Sequence, residues 1–237
     1  MIRTIVGAAG LLLSIHASVR AQQIYGFDPS LEGTFSIIAR DSATGELGMA
    51  VQSRTIAVGS RTRGGKGGVA IFAHQAASSP MFSEVGIPLL EAGMTPQQAL
   101  DFLLRADNGG ASRQVAIIDI KGRTAVWTSP AISDWKGHKC GVNYCAQGNT
   151  LTGPEVVDAM AKSFESSTGR LAERLVNAIE AGQRAGGDRR GMQSAAVLIL
   201  KPLSLAGFSD ISLDLRVDEH VQPITELKRI LALALRR

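Results

Sequence analysis

The order in which strand-like and helix-like segments arrive constrains this chain more than any other feature. From Thr34 onward, strand patterns come in hairpin pairs and helix patterns come in pairs. Residues 34–39 (TFSIIA) and 47–52 (LGMAVQ) flank the turn chemistry of Asp41-Ser42-Ala43-Thr44-Gly45, which predicts a hairpin. Residues 68–73 (GVAIFA) read as a third strand. Two helices follow, over 83–93 and from Thr95 onward. Thr95 can cap the second while Gln98 reaches back, with Pro96 in the first turn. Ala99, Phe102 and Leu103 fall on one face of that helix. Strands at 114–120 and 124–128 join through Lys121-Gly122. An irregular stretch with both cysteines comes next. Helices over 154–166 and 170–185 follow, the second with Leu171, Leu175, Ala178 and Ile179 on one side and Gly186-Gly187 at its end. Strands at 193–200 and 211–217 and a helix at 224–235 close the pattern.

This order is not alternating βαβ, so a doubly wound parallel sheet is disfavoured. It predicts an α+β fold, a four-layer αββα sandwich of two antiparallel sheets between two helix layers. Each sheet then buries both faces, which explains strands that are apolar almost throughout.

The composition supports one globular domain: 237 residues, 45% hydrophobic and 19% charged. Aromatic residues are 5% of the chain, too few for a stacking surface for single-stranded nucleic acid. The formal charge of +4 includes Arg3 and Arg20 in a leader-like segment with no acid. Without residues 1–21 the balance is 23 basic against 21 acidic, no electrostatic footprint for nucleic acid.

Residues 1–21 read as a signal peptide: a short basic start, an apolar run from Ile5 to Ile15, and a small-residue pattern ending at Ala21. The alternative is an uncleaved membrane anchor. The apolar run is shorter than the roughly 20 residues a spanning helix needs, and no second long apolar run exists. Residues 22–33 (QQIYGFDPSLEG) read as a linker or propeptide, and 34–237 as the folded domain. The expected location is therefore exported, periplasmic or secreted, with no stable membrane span after cleavage.

Cys140 and Cys145 are either a short-loop disulfide around Val142-Asn143 or two free thiols. Two cysteines, with His74, His138 and His220 far apart, lack metal-ligand spacing, so no metal and no cofactor are expected. Neither G-x-S-x-G nor H-E-x-x-H occurs. The run Gly64-Gly65-Lys66-Gly67-Gly68 fails as a phosphate loop, because Ser60 stands where its first Gly belongs and Gly67 follows the Lys.

Thr34 is the sharper candidate. It follows Gly33 and opens the first strand behind a loose pre-sequence. Cleavage of the Gly33–Thr34 bond would give it a free α-amine with a pKa near 8, about the reference value, partly neutral at pH 7. That amine could take the proton of its own hydroxyl, making Oγ a nucleophile with no histidine.

The segments TFSIIARD and GELGMAVQSR resemble the opening of N-terminal-nucleophile (Ntn) hydrolases of the proteasome type. More closely, the chain from Thr34 resembles the bacterial family called domain of unknown function 1028. The blocks that carry this are those two with AVGS, AHQAASSP, WKGH, AQGNTLTGPEVVDAM, AGGDRRGMQSAAVL and DLRVDEH. The resemblance implies the Ntn-type αββα fold and implies no known substrate. It places Thr34 as nucleophile. Lys66, just before the third strand, matches a lysine that lowers the nucleophile's pKa. Asn149, in Gln147-Gly148-Asn149, becomes an oxyanion donor. Ser53, Arg54, Gln147, Asp188, Arg189, Gln193 and Ser194 become substrate-binding candidates, with the Asp188-Arg189 pair suited to an α-amino-carboxylate. The chain departs from the family at His74-Gln75 and Ser79-Pro80, where Thr-Gln and Asn-Pro are usual; His74 could act as a base but reads more readily as a packed strand residue.

The expected function is an exported Ntn-type amidohydrolase acting on a small molecule or peptide. The alternative is a non-catalytic periplasmic ligand-binding protein on the same fold, with the pre-sequence still covering Thr34. Self-association into a homo-oligomer is left open.

Overall fold

The computed structural model describes residues 33–107, 110–203 and 209–236. The expected signal peptide and all of the expected linker but Gly33 lie outside them. In chain order the elements are β1 (Thr34–Arg40), β2 (Leu47–Ser53), β3 (Arg63–Lys66), β4 (Ala70–Ala76), α1 (Met81–Glu91) and α2 (Pro96–Ala106). Then come β5 (Arg113–Asp119), β6 (Thr124–Thr128), β7 (Gly137–Gly141), β8 (Tyr144–Asn149), α3 (Glu155–Ser166) and α4 (Leu171–Arg184). β9 (Ser194–Leu200), β10 (Ile211–Val217) and α5 (Pro223–Ala234) end the fold. The chain is thus a mixed α+β protein with two antiparallel sheets. One sheet has the order β10-β9-β2-β1-β8-β7, the other β3-β4-β5-β6.

Strand alternation sorts the side chains. From β1, Phe35, Ile37 and Ala39 join a core with Val156, Met160 and Phe164 of α3, Leu171 and Leu175 of α4, and Leu227 of α5. The opposite face of β1 presents Ile38, which packs with Met49 and Leu198 of its own sheet and with Ile71, Ala73, Ala116 and Ile118 of the other. The outer face of that second sheet, through Phe72, Val115 and Ile117, packs on Phe82 of α1 and Leu100 and Leu103 of α2.

Local chemistry sets several boundaries. Thr95 Oγ1 accepts from the Gln98 backbone N–H at 3.2 Å, and Gln98 Oε1 accepts from the Thr95 N–H at 2.9 Å. This is the expected capping box at the start of α2. Asp41 Oδ1 accepts from the N–H groups of Ala43 and Thr44 and pins the β1–β2 turn.

Three expectations are corrected. The cysteine stretch is no irregular segment but the hairpin β7–β8, which turns through Val142 and Asn143 with Asn143 at φ 62°. A disulfide joins Cys140 to Cys145 across it. A strand absent from the pattern, β3, takes in Gly64 and Gly65 of the glycine-rich run, and these glycines let it pass close under Ser83 and Leu200. Phe102 is 43% exposed; Leu100 takes the core position beside Ala99 and Leu103. Trp135 is partly buried against the α3–α5 core.

Candidate functional site

The inner faces of the two sheets are apolar at one end and polar at the other. Antiparallel partners share a face. Thr34 is opposite Ser53 on one side and Asn149 on the other, and Ser53 is opposite Ser194. A row Asn149–Thr34–Ser53–Ser194 therefore crosses four strands. One step inward, Gln147 and Ser36 form the next row. Gln75 and Gln114, partners in β4 and β5, face them from the other sheet. All eight side chains are buried.

Burial on this scale demands partners, and most polar atoms have them. Gln75 Nε2 donates to the Thr34 carbonyl at 3.0 Å and to Gln114 Oε1 at 2.8 Å. Ser36 Oγ donates to Gln75 Oε1 at 2.5 Å. Gln114 Nε2 donates to the Gly148 carbonyl at 2.9 Å and the Gly137 carbonyl at 3.1 Å. Gln147 Nε2 donates to Ser36 Oγ and the Ala73 carbonyl, while its Oε1 has no partner. This network fixes the backbone beside Thr34.

The chemistry converges on one atom, the carbonyl oxygen of Gly33. Thr34 Oγ1 stands 2.7 Å from it and 3.1 Å from Ser53 Oγ, so its single proton serves either acceptor. Ser53 Oγ donates to the same carbonyl. Arg190 Nη2 donates to it at 2.6 Å. The Arg190 guanidinium is in turn gripped by Asp188: Nη2 reaches Oδ2 at 2.6 Å and Nε reaches Oδ1 at 3.0 Å. Asp188 Oδ1 also accepts from the Arg190 N–H at 2.9 Å, and Oδ2 from the Arg54 N–H at 3.3 Å. The Asp188 side chain has no exposure.

The loop with this pair is placed by a strained residue. Thr150, right after β8, sits at φ 56°, a conformation that β-branched residues avoid. Its carbonyl accepts from the Arg189 N–H at 3.0 Å, and Leu151 bridges to Asp188. The strain is thus held by contacts that bring residues 188–190 to the end of β1.

A model described as "Family of unknown function (DUF1028)" matches residues 34–227. The chain belongs to the DUF1028 family. Among solved structures, protein SPO2555 from Silicibacter pomeroyi, of the same family, is 32% identical over 85% of this chain and 86% of its own, with a TM-score of 0.78. Anbu (ancestral beta-subunit) from Yersinia bercovieri is 12% identical over 85% of this chain and 94% of its own, with a TM-score of 0.37. No curated protein matches.

In this DUF1028 chain the expected site residues divide. Thr34 and Ser53 meet at the Gly33 carbonyl, Asp188 reaches it through Arg190, and the Arg54 N–H donates to Asp188, with Arg54 Nη1 donating to the Arg190 carbonyl. Gln193 and Ser194 border them: the Gln193 N–H donates to the Ser53 carbonyl, and Ser194 Oγ accepts from the Val58 N–H at 3.0 Å and donates to the Thr55 carbonyl at 2.5 Å. Gln147 and Asn149 belong to the buried network.

Others are corrected. Asn149 Nδ2 donates to Gln114 Oε1 at 3.0 Å, so its amide is engaged away from the Gly33 carbonyl. Arg189 is exposed, and the ion pair of Asp188 is with Arg190, at 2.6 Å. Lys66 lies opposite Ala70, at the far end of β4 from Gln75, roughly 17 Å away at about 3.3 Å per residue. It pairs with Glu91 at 2.6 Å on the surface. His74, by contrast, is the packed strand residue expected: it is buried in β4 and points to the helix side of its sheet, beside neither Thr34 nor Ser53; its Nδ1 meets Ser78 Oγ at 2.9 Å and burial lowers its pKa to about 4. Gln75, Gln114 and Arg190 are the site residues that the sequence did not single out. The only signal for Arg190 was its place in Asp188-Arg189-Arg190, where either arginine could have served. Among the described residues, no group of three or more His, Cys, Asp and Glu is arranged to hold a metal.

Proposed function

We propose that this DUF1028 protein is an exported amidohydrolase of the Ntn type, built as a four-layer αββα sandwich, with Thr34 as its N-terminal nucleophile. One observation carries the reading: the Thr34 hydroxyl, the Ser53 hydroxyl and the Arg190 guanidinium all address the carbonyl of the peptide bond that precedes Thr34. The family match also opens on Thr34. The internal disulfide fits an oxidising compartment, and no helix among the described residues is long and apolar enough to span a membrane.

In the intact chain, Thr34 Oγ adds to the Gly33 carbonyl carbon. Ser53 and Arg190 donate to the oxygen as it gains charge. The C–N bond breaks as the Thr34 nitrogen takes the hydroxyl proton, leaving the Gly33 acyl group as an ester on Oγ. Water then hydrolyses the ester, releasing a segment ending in the Gly33 carboxylate and restoring the Thr34 hydroxyl beside the α-amine already freed. A substrate amide repeats the sequence at the same place, with that amine as base.

Intact-mass analysis of protein recovered from its native compartment tests this. The expected mass begins at Thr34, and Thr34→Ala retains Gly33 and loses amidase activity while folding normally. A wild-type chain that keeps Gly33 and is fully competent refutes the reading and favours the binding-protein alternative, in which Thr34 stays in peptide linkage.

A further inference from the structure

The Gly33 carbonyl stands where an acyl carbonyl must stand for attack by Thr34. The surroundings of Gly33 are therefore a cast of the acyl end of the site. A Cβ built on Gly33 lies 2.7 Å from Arg190 Nη2, 2.8 Å from Arg190 Nε and 2.8 Å from Asp188 Oδ2. Arginine heads on a surface would swing aside. This one is held at Nε and Nη2 by a carboxylate with no exposure, and that carboxylate is held by two backbone N–H groups. Making room for a methyl group means breaking charge-assisted bonds in a buried place.

We infer that the site accepts amides whose carbon next to the acyl carbonyl has no side chain, namely glycyl and N-acylglycyl amides, and rejects amides of larger amino acids. The inference rests on the nucleophile reading above and adds the substrate class. Thr34 Oγ forms an ester with the glycyl carbonyl, the C–N bond breaks, and the leaving amine takes the proton. Water then opens the ester to a glycine carboxylic acid and the free hydroxyl. The leaving amine is not restricted by this contact.

The test uses the processed protein with the 4-nitrophenyl esters and 4-nitroanilides of N-acetylglycine, N-acetylalanine and N-acetylleucine. Mass spectrometry reads acylation of Thr34, and absorbance reads turnover. The glycine compounds are expected to exceed the alanine ones in kcat/KM by at least about tenfold, with leucine slower still. Equal rates for glycine and leucine overturn the inference and leave the nucleophile standing. No acylation of Thr34 by any of the six compounds overturns both. A second measurement follows cleavage of the full chain with Gly33→Ala and Gly33→Val. Both are expected to slow by at least about tenfold. Unchanged cleavage of Gly33→Val overturns the inference, whereas an unsubstituted chain that never cleaves overturns the function proposed for Thr34.

Discussion

Asp188→Ala removes the group on which the arrangement at Gly33 depends, and its effect can be worked from the contacts. The variant strips Arg190 of its carboxylate and takes the acceptor from the N–H groups of Arg190 and Arg54. Breaking a buried ion pair by deleting one partner costs about 3–5 kcal/mol. The Arg190 side chain keeps 16% exposure and so regains some hydration, which places the expectation near the lower end, at about 3 kcal/mol. The background should be Thr34→Ala, so that every molecule keeps the Gly33 peptide bond. Urea unfolding reads the shift in midpoint at constant slope. The double variant Asp188→Ala/Arg190→Ala leaves no orphan charge. It should be more stable than the sum of the single effects implies, by at least about 1 kcal/mol. A loss under about 1 kcal/mol for Asp188→Ala, or strict additivity, would refute the view of Asp188 as the buried anchor of Arg190.

Three further outcomes are expected. His74 has its pKa lowered from 6.5 to about 4, first by burial and also by the nearby Arg113 charge. The folded state therefore resists protonation: stability is fully present above about pH 6.5 and falls by roughly 3 kcal/mol towards pH 4, while His74→Gln flattens that slope in pH-dependent unfolding. Replacing Cys140 and Cys145 by serine frees a short loop and should lower stability by about 2 kcal/mol, seen as a lower Tm, with no gain from added oxidant. Lys66→Met breaks only an exposed pair with Glu91, so stability should change by less than about 1 kcal/mol and cleavage at Thr34 should keep its rate; a loss of cleavage would return Lys66 to the site.

The fold was legible wherever pattern and local chemistry agreed. The edges of β6 and β10 coincide with the apolar runs read from the chain, and Thr95 and Gln98 declare the start of α2. The hairpin β7–β8 was hidden because its residues are polar, glycine-rich and without alternation. β8 is wholly buried only because β1 lies beside it and a second sheet covers its inner face. Phe102 illustrates the limit of periodicity, since Leu100 and Phe102 both fit a helical stripe and the packing against Phe72 and Phe82 selects Leu100.

The site divides in the same way. Thr34, its preceding glycine and the row of small polar residues at strand ends are consequences of local order, since adjacency in the chain and the two-residue period of a strand need no distant contact. Which arginine faces Gly33, whether Lys66 lies near or far, and where the amide of Asn149 is directed depend on how six strands pair and how the turn after Thr150 is bent. Those choices come from contacts between residues distant in the chain, from Lys66 with Glu91 and Asn149 with Gln114 to Gly33 with Arg190, and no pattern along the chain encodes them.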